Sequence, residues 1–217
     1  MTNKSDWAAS WLATKLRNDE KKYVVKELSS THLLIERPPM RDVVICATTL
    51  PKLGAEELQA LLEKRPKAVF YVAATKETVL LESAFSLAKD QEVAIGRVGD
   101  LMNALNLEKI HEYVNRTVHY IEQGMLQHKR ITSFERVGEL IYIVRTKSLG
   151  EQLVAFFNEY ELTADILRKA RADKGYFDLA VNLHIAGSPT EQALEVAENI
   201  GAEILKWSEF FTRMHTK

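Results

Sequence analysis

Residues 54–105 read GAEELQALLEKRPKAVFYVAATKETVLLESAFSLAKDQEVAIGRVGDLMNAL, and residues 163–214 read TADILRKARADKGYFDLAVNLHIAGSPTEQALEVAENIGAEILKWSEFFTRM. The second stretch aligns on the first without a gap, Gly54 onto Thr163 and Leu105 onto Met214, at a constant offset of 109. Few positions are identical. What the stretches share is the order and period of their apolar positions: Leu58/Leu167, Val72/Val181, Ala84/Ala193, Ala88/Ala197, Ile95/Ile204, Val98/Trp207, Met102/Phe211. Each reads as helix, buried strand, helix, strand, short helix. Any two βαβ units share some of this pattern, since helices and strands recur at similar lengths. The common order and period nevertheless point to a duplication.

Working outward, DVVICATT (42–49) is apolar on both faces, which predicts a central strand. Before it, YVVKEL (23–28) and HLLIERP (32–38) predict a hairpin, ended by Pro38 and Pro39 because proline cannot donate to a ladder. Trp7/Ala8, Trp11/Leu12 and Leu16 share one helical face, with Ser5 or Asp6 placed to cap that first helix. In the second half, residues 107–129 read as one long helix. ITSFERVGE and LIYIVRTK form a second hairpin turning near Val137–Glu139. Residues 148–162, SLGEQLVAFFNEYEL, have no counterpart in this reading. Their apolar spacing suggests an extra helix whose phenylalanines face the other half, a homodimer mate or a protein partner. The expectation is an α/β protein of two similar tandem halves, 1–106 and 107–217. Each half is a mixed sheet, an antiparallel hairpin leading into parallel βαβ units, flanked by helices.

The 217 residues suffice to bury a proper core, and the apolar (46%) and charged (27%) fractions are those of an ordinary globular protein. A net charge of −1 argues against a global positive field that would adhere to nucleic acid or acidic membrane, while leaving room for a local basic patch. One cysteine, Cys46, excludes a disulfide within the chain and, set among apolar neighbours, reads as an inert core thiol. The N-terminus lacks a signal-peptide core, and no apolar run approaches the roughly 20 residues of a membrane span. These features predict a cytoplasmic protein without a membrane partner.

The element order, with VFYVAAT, Ala84, Ala88 and VAIGRVGDLMNAL in one half and LAVNLH, Ala193, Ala197 and AEILKWSEFFTRM in the other, resembles the restriction-endonuclease-like fold, the PD-(D/E)xK superfamily, in its Mrr-type branch. That resemblance implies a metal-dependent nuclease ancestry. Such a site has a hairpin Asp and an acid-x-Lys on the next strand, which hold Mg²⁺ and orient water. Neither half carries the complete motif. The second ends its strand Arg145-Thr146-Lys147, with Arg145 in place of the acid and Glu135 and Glu139 at the wrong spacing. The first ends Ala47-Thr48-Thr49, although Glu36 and Asp42 stand where they can converge. Asp42, Glu139 and Lys147 are thus candidate remnants, Mg²⁺ is expected only if a site is active, and solvated strand ends are the plainer fate of such residues.

Other candidates are few. His111, Asn115, His119 and Glu122 share one face of the expected long helix, but its histidines are two turns, about 12 Å, apart, too far for one ion, so no metal site is expected. Ser188-Pro189-Thr190-Glu191 reads as a helix start with Ser188 as N-cap. Gly187, Ser188 and Thr190, with Thr75 and Thr78 of the corresponding loop, are candidate anion ligands, or plain capping residues. Neither GxGxxG nor GxxxxGK[ST] occurs in a phosphate turn. Lys129, Arg130, Arg136, Arg145 and Lys147 flank the second hairpin and make a candidate nucleic-acid patch. Three readings result: a non-catalytic nuclease-fold protein that binds nucleic acid or docks in a DNA-processing or defence assembly, a nucleotide- or anion-sensing Rossmann-like regulator, and an oligomeric scaffold.

Overall fold

A computed structural model describes residues 7–18 and 23–214. The expected cap at Ser5 or Asp6 lies outside the described residues. The chain forms two compact units, Met1–Asn115 and Arg116–Lys217.

In the first unit, α1 (Ala8–Arg17) leads into the antiparallel strands β1 (Val24–Glu27), β2 (His32–Glu36) and β3 (Val43–Thr48). Then follow β4 (Lys52–Leu53), α2 (Ala55–Leu62), β5 (Phe70–Ala73), β6 (Val79–Leu80), α3 (Glu82–Asp90), β7 (Ala94–Arg97) and α4 (Val98–Ala104). The sheet order is β1-β2-β3-β5-β7, and β3, β5 and β7 run parallel. As its unbroken apolar run predicts, β3 buries both faces. Ile45 and Ala47 join Leu12, Leu16, Phe70 and Leu101 on the α1/α4 side. Cys46 joins Leu58, Leu61, Tyr71 and Ala84 on the α2/α3 side. The unit is therefore a three-layer α/β/α sandwich.

The second unit contains α5 (Arg116–Gln127), β8 (Ile131–Gly138), β9 (Ile141–Thr146), β10 (Gly150–Phe157), β11 (Glu161–Leu162), α6 (Ala164–Lys174), β12 (Leu179–Asn182), β13 (Ser188–Pro189), α7 (Glu191–Asn199), β14 (Glu203–Lys206) and α8 (Trp207–Arg213). Its sheet order is β8-β9-β10-β12-β14. The two units match in register as well as in order. Val25 faces Ile35 as Phe134 faces Val144. Leu33 faces Ile45 as Tyr142 faces Val154, and Ile45 faces Phe70 as Val154 faces Leu179. Each residue of the second set stands 109 positions after its counterpart. The correspondence read from 54–105 thus extends back through both hairpins to the first helix of each unit, where buried Ala9, Leu12 and Leu16 match Val118, Ile121 and Met125.

Two expectations are corrected. Residues 148–162 are no extra helix: they contain β10, the central strand that stands where β3 stands in the first unit. Val154 and Phe156 enter the core on one face, and Ala155 and Phe157 that on the other. A strand apolar on both faces has no alternation to distinguish it from a helix. Its phenylalanines, 1% and 6% exposed, are consumed by their own unit and offer no face to a partner. The long helix of 107–129 is also shorter, beginning at Arg116 after a 3₁₀ turn at Ile110–Glu112. Buried Arg37 donates to the carbonyls of Leu105, Leu107 and Arg41, at 3.0, 2.8 and 3.0 Å, occupying acceptors that a continuing helix would need. His111 and Asn115 therefore lie off α5. The Asn115 amide and the Tyr113 hydroxyl both donate to Asp100 in the first unit.

One row across β2, β3 and β5 places His32, Cys46 and Tyr71 side by side. Burial pushes the Cys46 thiol and the Tyr71 phenol each up to about 12. Cys46 is thus both covered and protonated at neutral pH, and a disulfide-exchange reagent at pH 8 should label it only as the first unit opens. Rapid labelling of the native chain would contradict this packing. Burial, aided by the positive charge of Lys64, holds the His32 imidazole below its ordinary 6.5. Its Nδ1 lies 2.9 Å from the Thr31 hydroxyl, while Nε2 is buried without a hydrogen-bond partner. The unfolded chain takes up this proton first, so stability is full above pH 6.5 and declines as the pH falls through 6.5 towards the lower folded-state value. Urea unfolding at pH 7.5 and 5.5 should show a loss that is smaller in His32→Asn, which keeps only the Nδ1 function.

Candidate nucleic-acid interface

The second hairpin brings some of the expected basic residues together and separates others. Lys129 and Arg130 occupy the turn between α5 and β8. The Lys147 amide donates to the Arg130 carbonyl at 3.4 Å, so these three residues share one end of the hairpin. Arg136 lies towards the other end, where its Nε donates to the Gly138 carbonyl at 3.1 Å. Arg145 stands near the basic end but is engaged by acids: Glu151 on β10 at 2.9 Å and Glu135 on β8 at 3.9 Å. Apart from Arg145, the basic residues that the backbone gathers at this end are Lys129, Arg130 and Lys147.

The candidate catalytic residues do not assemble in the second unit. Glu139 sits in the β8–β9 turn and Lys147 follows the far end of β9, a separation on the order of 20 Å along six strand residues. In the first unit Asp42 and Glu36 do fall together at the β2–β3 ladder end, since Ile35 faces Val43. Their cation comes from the neighbouring strand: Lys26 on β1 forms an ion pair with Glu36. Hydrogen bonding and charge from Glu36, helped by Asp42, raise the Lys26 pKa. Lys26, diagonal to Glu36 across the ladder, with Glu36 and Asp42 occupies the same three sheet positions as Glu135, Arg145 and Glu151 in the second unit, with the first two signs reversed. Glu36 and Arg145, at equivalent positions of the two units, are thus held in cross-strand ion pairs. Among the described residues, no group of three or more His, Cys, Asp or Glu side chains is placed to hold a metal ion.

The anion-loop candidates are occupied by their own units. Thr78, buried, donates to the Leu50 carbonyl at 2.7 Å, and its hydroxyl lies 2.9 Å from that of Thr75. Arg97, at the end of β7, donates to the carbonyls of Thr75 and Thr78. In the second unit the equivalent carbonyl, Glu159, is held instead by the Asn182 amide at 2.8 Å. Gly187, the counterpart of Thr78, lies against the backbone there. Ser188 is not the N-cap, because Ser188–Pro189 are extended as β13 and pair with β11. Because Pro189 is itself held in the β11 pairing, the helix starts two residues later and the cap falls to Thr190, whose Oγ1 accepts from the Ala193 amide at 3.1 Å.

A groove absent from the sequence expectations opens between α5 and α8. Its volume is about 360 Å³, and Tyr120, Gln123, Gly124, Gln127, His128, Trp207 and Phe211 line it. Gly124 sets the helix spacing: a Cβ there would come within 2.4 Å of the Trp207 ring. Tyr120 packs on Trp207 at 5.3 Å between ring centroids, and His128 stacks on Phe211 at 5.1 Å. At its His128 end the groove meets the basic turn, since Lys129 and Arg130 follow directly. The Ser148 hydroxyl, beside Lys147, donates to the Met214 carbonyl just past α8. In the first unit the matching positions are Trp11 for Tyr120, Lys15 for Gly124, Val98 for Trp207 and Met102 for Phe211. The signal was therefore present, as Trp207, Phe211 and a mid-helix glycine in one copy only, with Trp11 and Tyr120 aromatic in both.

No family model, curated protein or solved structure matches this chain. Among the described residues, no helix is long and apolar enough to cross a membrane.

Gly187→Ala tests the closed loop of the second unit. The new Cβ would lie 2.5 Å from the Glu159 carbonyl oxygen and 2.6 Å from the Asn182 amide nitrogen. A loss of about 1–3 kcal/mol in denaturant unfolding is expected, and an unchanged midpoint would mean that the loop is open.

Proposed function

We propose that this chain is an internally duplicated, non-catalytic protein of nuclease-like fold that binds nucleic acid in the cytoplasm through its second unit. The observation that carries the reading is the gathering of Lys129, Arg130 and Lys147 at one end of the second hairpin, next to an aromatic groove. A net charge of −1 makes such binding local. Phosphates are attracted to one corner of one unit, without a field over the whole surface. The separation of Glu139 from Lys147, and the use of Glu36 and Arg145 in ion pairs, support binding without hydrolysis. The matched register of the two units supports duplication followed by divergence, the first unit keeping the fold and the second acquiring the site.

The test is equilibrium binding of labelled oligonucleotides over a salt series, with and without Mg²⁺. Binding should weaken steeply with salt. In Lys129→Ala/Lys147→Ala the slope of log affinity against log salt should be shallower by about two, one for each lysine removed from a phosphate. Absence of binding at micromolar protein and low salt would refute the proposal. Mg²⁺-dependent cleavage abolished by Lys147→Ala would refute its non-catalytic part.

A further inference from the structure

We infer that the α5–α8 groove accepts an unpaired nucleobase, so that the second unit selects single-stranded over duplex nucleic acid. The inference rests on the reading above and deepens it by assigning the part of the ligand that is not phosphate. Phosphates of single and double strands are alike to a lysine, whereas only an unpaired base presents an open π-face. The groove offers the matching surface. Tyr120 is 49% exposed, and its ring continues the Trp207–Phe211 pair, whose centroids lie 4.5 Å apart. The volume of about 360 Å³ falls in the range of roughly 300–1,000 Å³ typical of small-ligand sites. Gln123 and Gln127 also line it and bring amide donors and acceptors that suit base edges.

Charge complementarity identifies the occupant. A groove for an apolar peptide helix has no need of cations at its mouth. This one runs at its His128 end into Lys129 and Arg130, with Lys147 held against the Arg130 backbone. A strand whose base enters among the aromatic rings leaves its phosphates to follow that turn. The first unit makes the internal comparison: it holds Lys15, Val98 and Met102 where the second holds Gly124, Trp207 and Phe211. A lysine at the Gly124 position would meet the Trp207 ring, so the close approach of the helices and the Trp207–Phe211 pair come together in one copy only, while Trp11 keeps the Tyr120 position aromatic in both.

The experiment is fluorescence anisotropy with a labelled single-stranded oligonucleotide, its duplex, and the same strand carrying abasic sites. Each is titrated with the full chain and with Tyr120→Ala, Phe211→Leu and Lys129→Ala/Lys147→Ala. Circular dichroism melts confirm that every variant folds. DNA and RNA versions distinguish which backbone is preferred. The expected result is tighter binding of the single strand than of the duplex. Tyr120→Ala should lower single-strand affinity between roughly 5- and 100-fold, the range for losing one stacked base, with the salt slope unchanged. The abasic strand should bind the unsubstituted chain as weakly as the intact strand binds Tyr120→Ala. Suppose instead that binding is salt-dependent and lost in the lysine variant, yet indifferent to Tyr120→Ala, Phe211→Leu and abasic sites. The groove assignment would then be overturned while the basic-turn reading survived. No binding of any oligonucleotide would overturn both.

Discussion

Each unit depends on one strand that is buried on both faces. β3 and β10 stand at the junction between an antiparallel hairpin and a parallel βαβ succession, pairing antiparallel on one side and parallel on the other. Removing both faces of a strand from water forces a helical layer on each side. It also prevents a slip by one residue, because the two sets of side chains, Ile45 and Ala47 against Cys46 in β3, enter different cores. The hairpin, the crossovers and the loops at the strand ends take their places from this one element.

The two units keep that frame and change what is attached to it. A single backbone carbonyl, Leu50 in one and Glu159 in the other, is anchored by the Thr78 hydroxyl in the first and by the Asn182 amide in the second. The cross-strand charge cluster reads Lys26, Glu36, Asp42 in one and Glu135, Arg145, Glu151 in the other. In both cases a geometric requirement is constant, an acceptor to satisfy or adjacent charges to balance, and the side chain that meets it is free to change. The α5–α8 face shows the opposite behaviour. There the second unit departs in size and character from the first, with Trp207 and Phe211 in place of Val98 and Met102. All four residues are partly buried, so the change is one of size and aromatic character, and it accompanies the groove of the second unit.

Much of the fold was legible in the residues. The 109-residue correspondence, the two hairpins and the central position of DVVICATT all rest on local apolar period and on proline and turn residues. The fold expected from them, two similar mixed-sheet α/β halves flanked by helices, is the one observed. The failures have a common origin in interactions between residues distant in sequence. Leu153, Val154, Phe156 and Phe157 have spacing compatible with a helix, and only pairing with β9 and β12 makes them a strand. The helix expected from 107 is denied its first turns by Arg37, some 70 residues away in the chain.

The sequence by itself determined the number of units, their class and their approximate elements, because burial period is a local property of the chain. Tertiary structure alone decided which charged residues meet. Arg145, placed by sequence in a basic patch, is engaged by Glu135 and Glu151 from the two neighbouring strands. Asp42 and Glu36, placed in a remnant metal site, stand beside Lys26. The groove likewise exists only because Gly124 lets α5 approach the Trp207 ring of α8. Charge pairing and concavity depend on distances across strands and between helices. A one-dimensional pattern contains no such distances until the register of the sheet sets them.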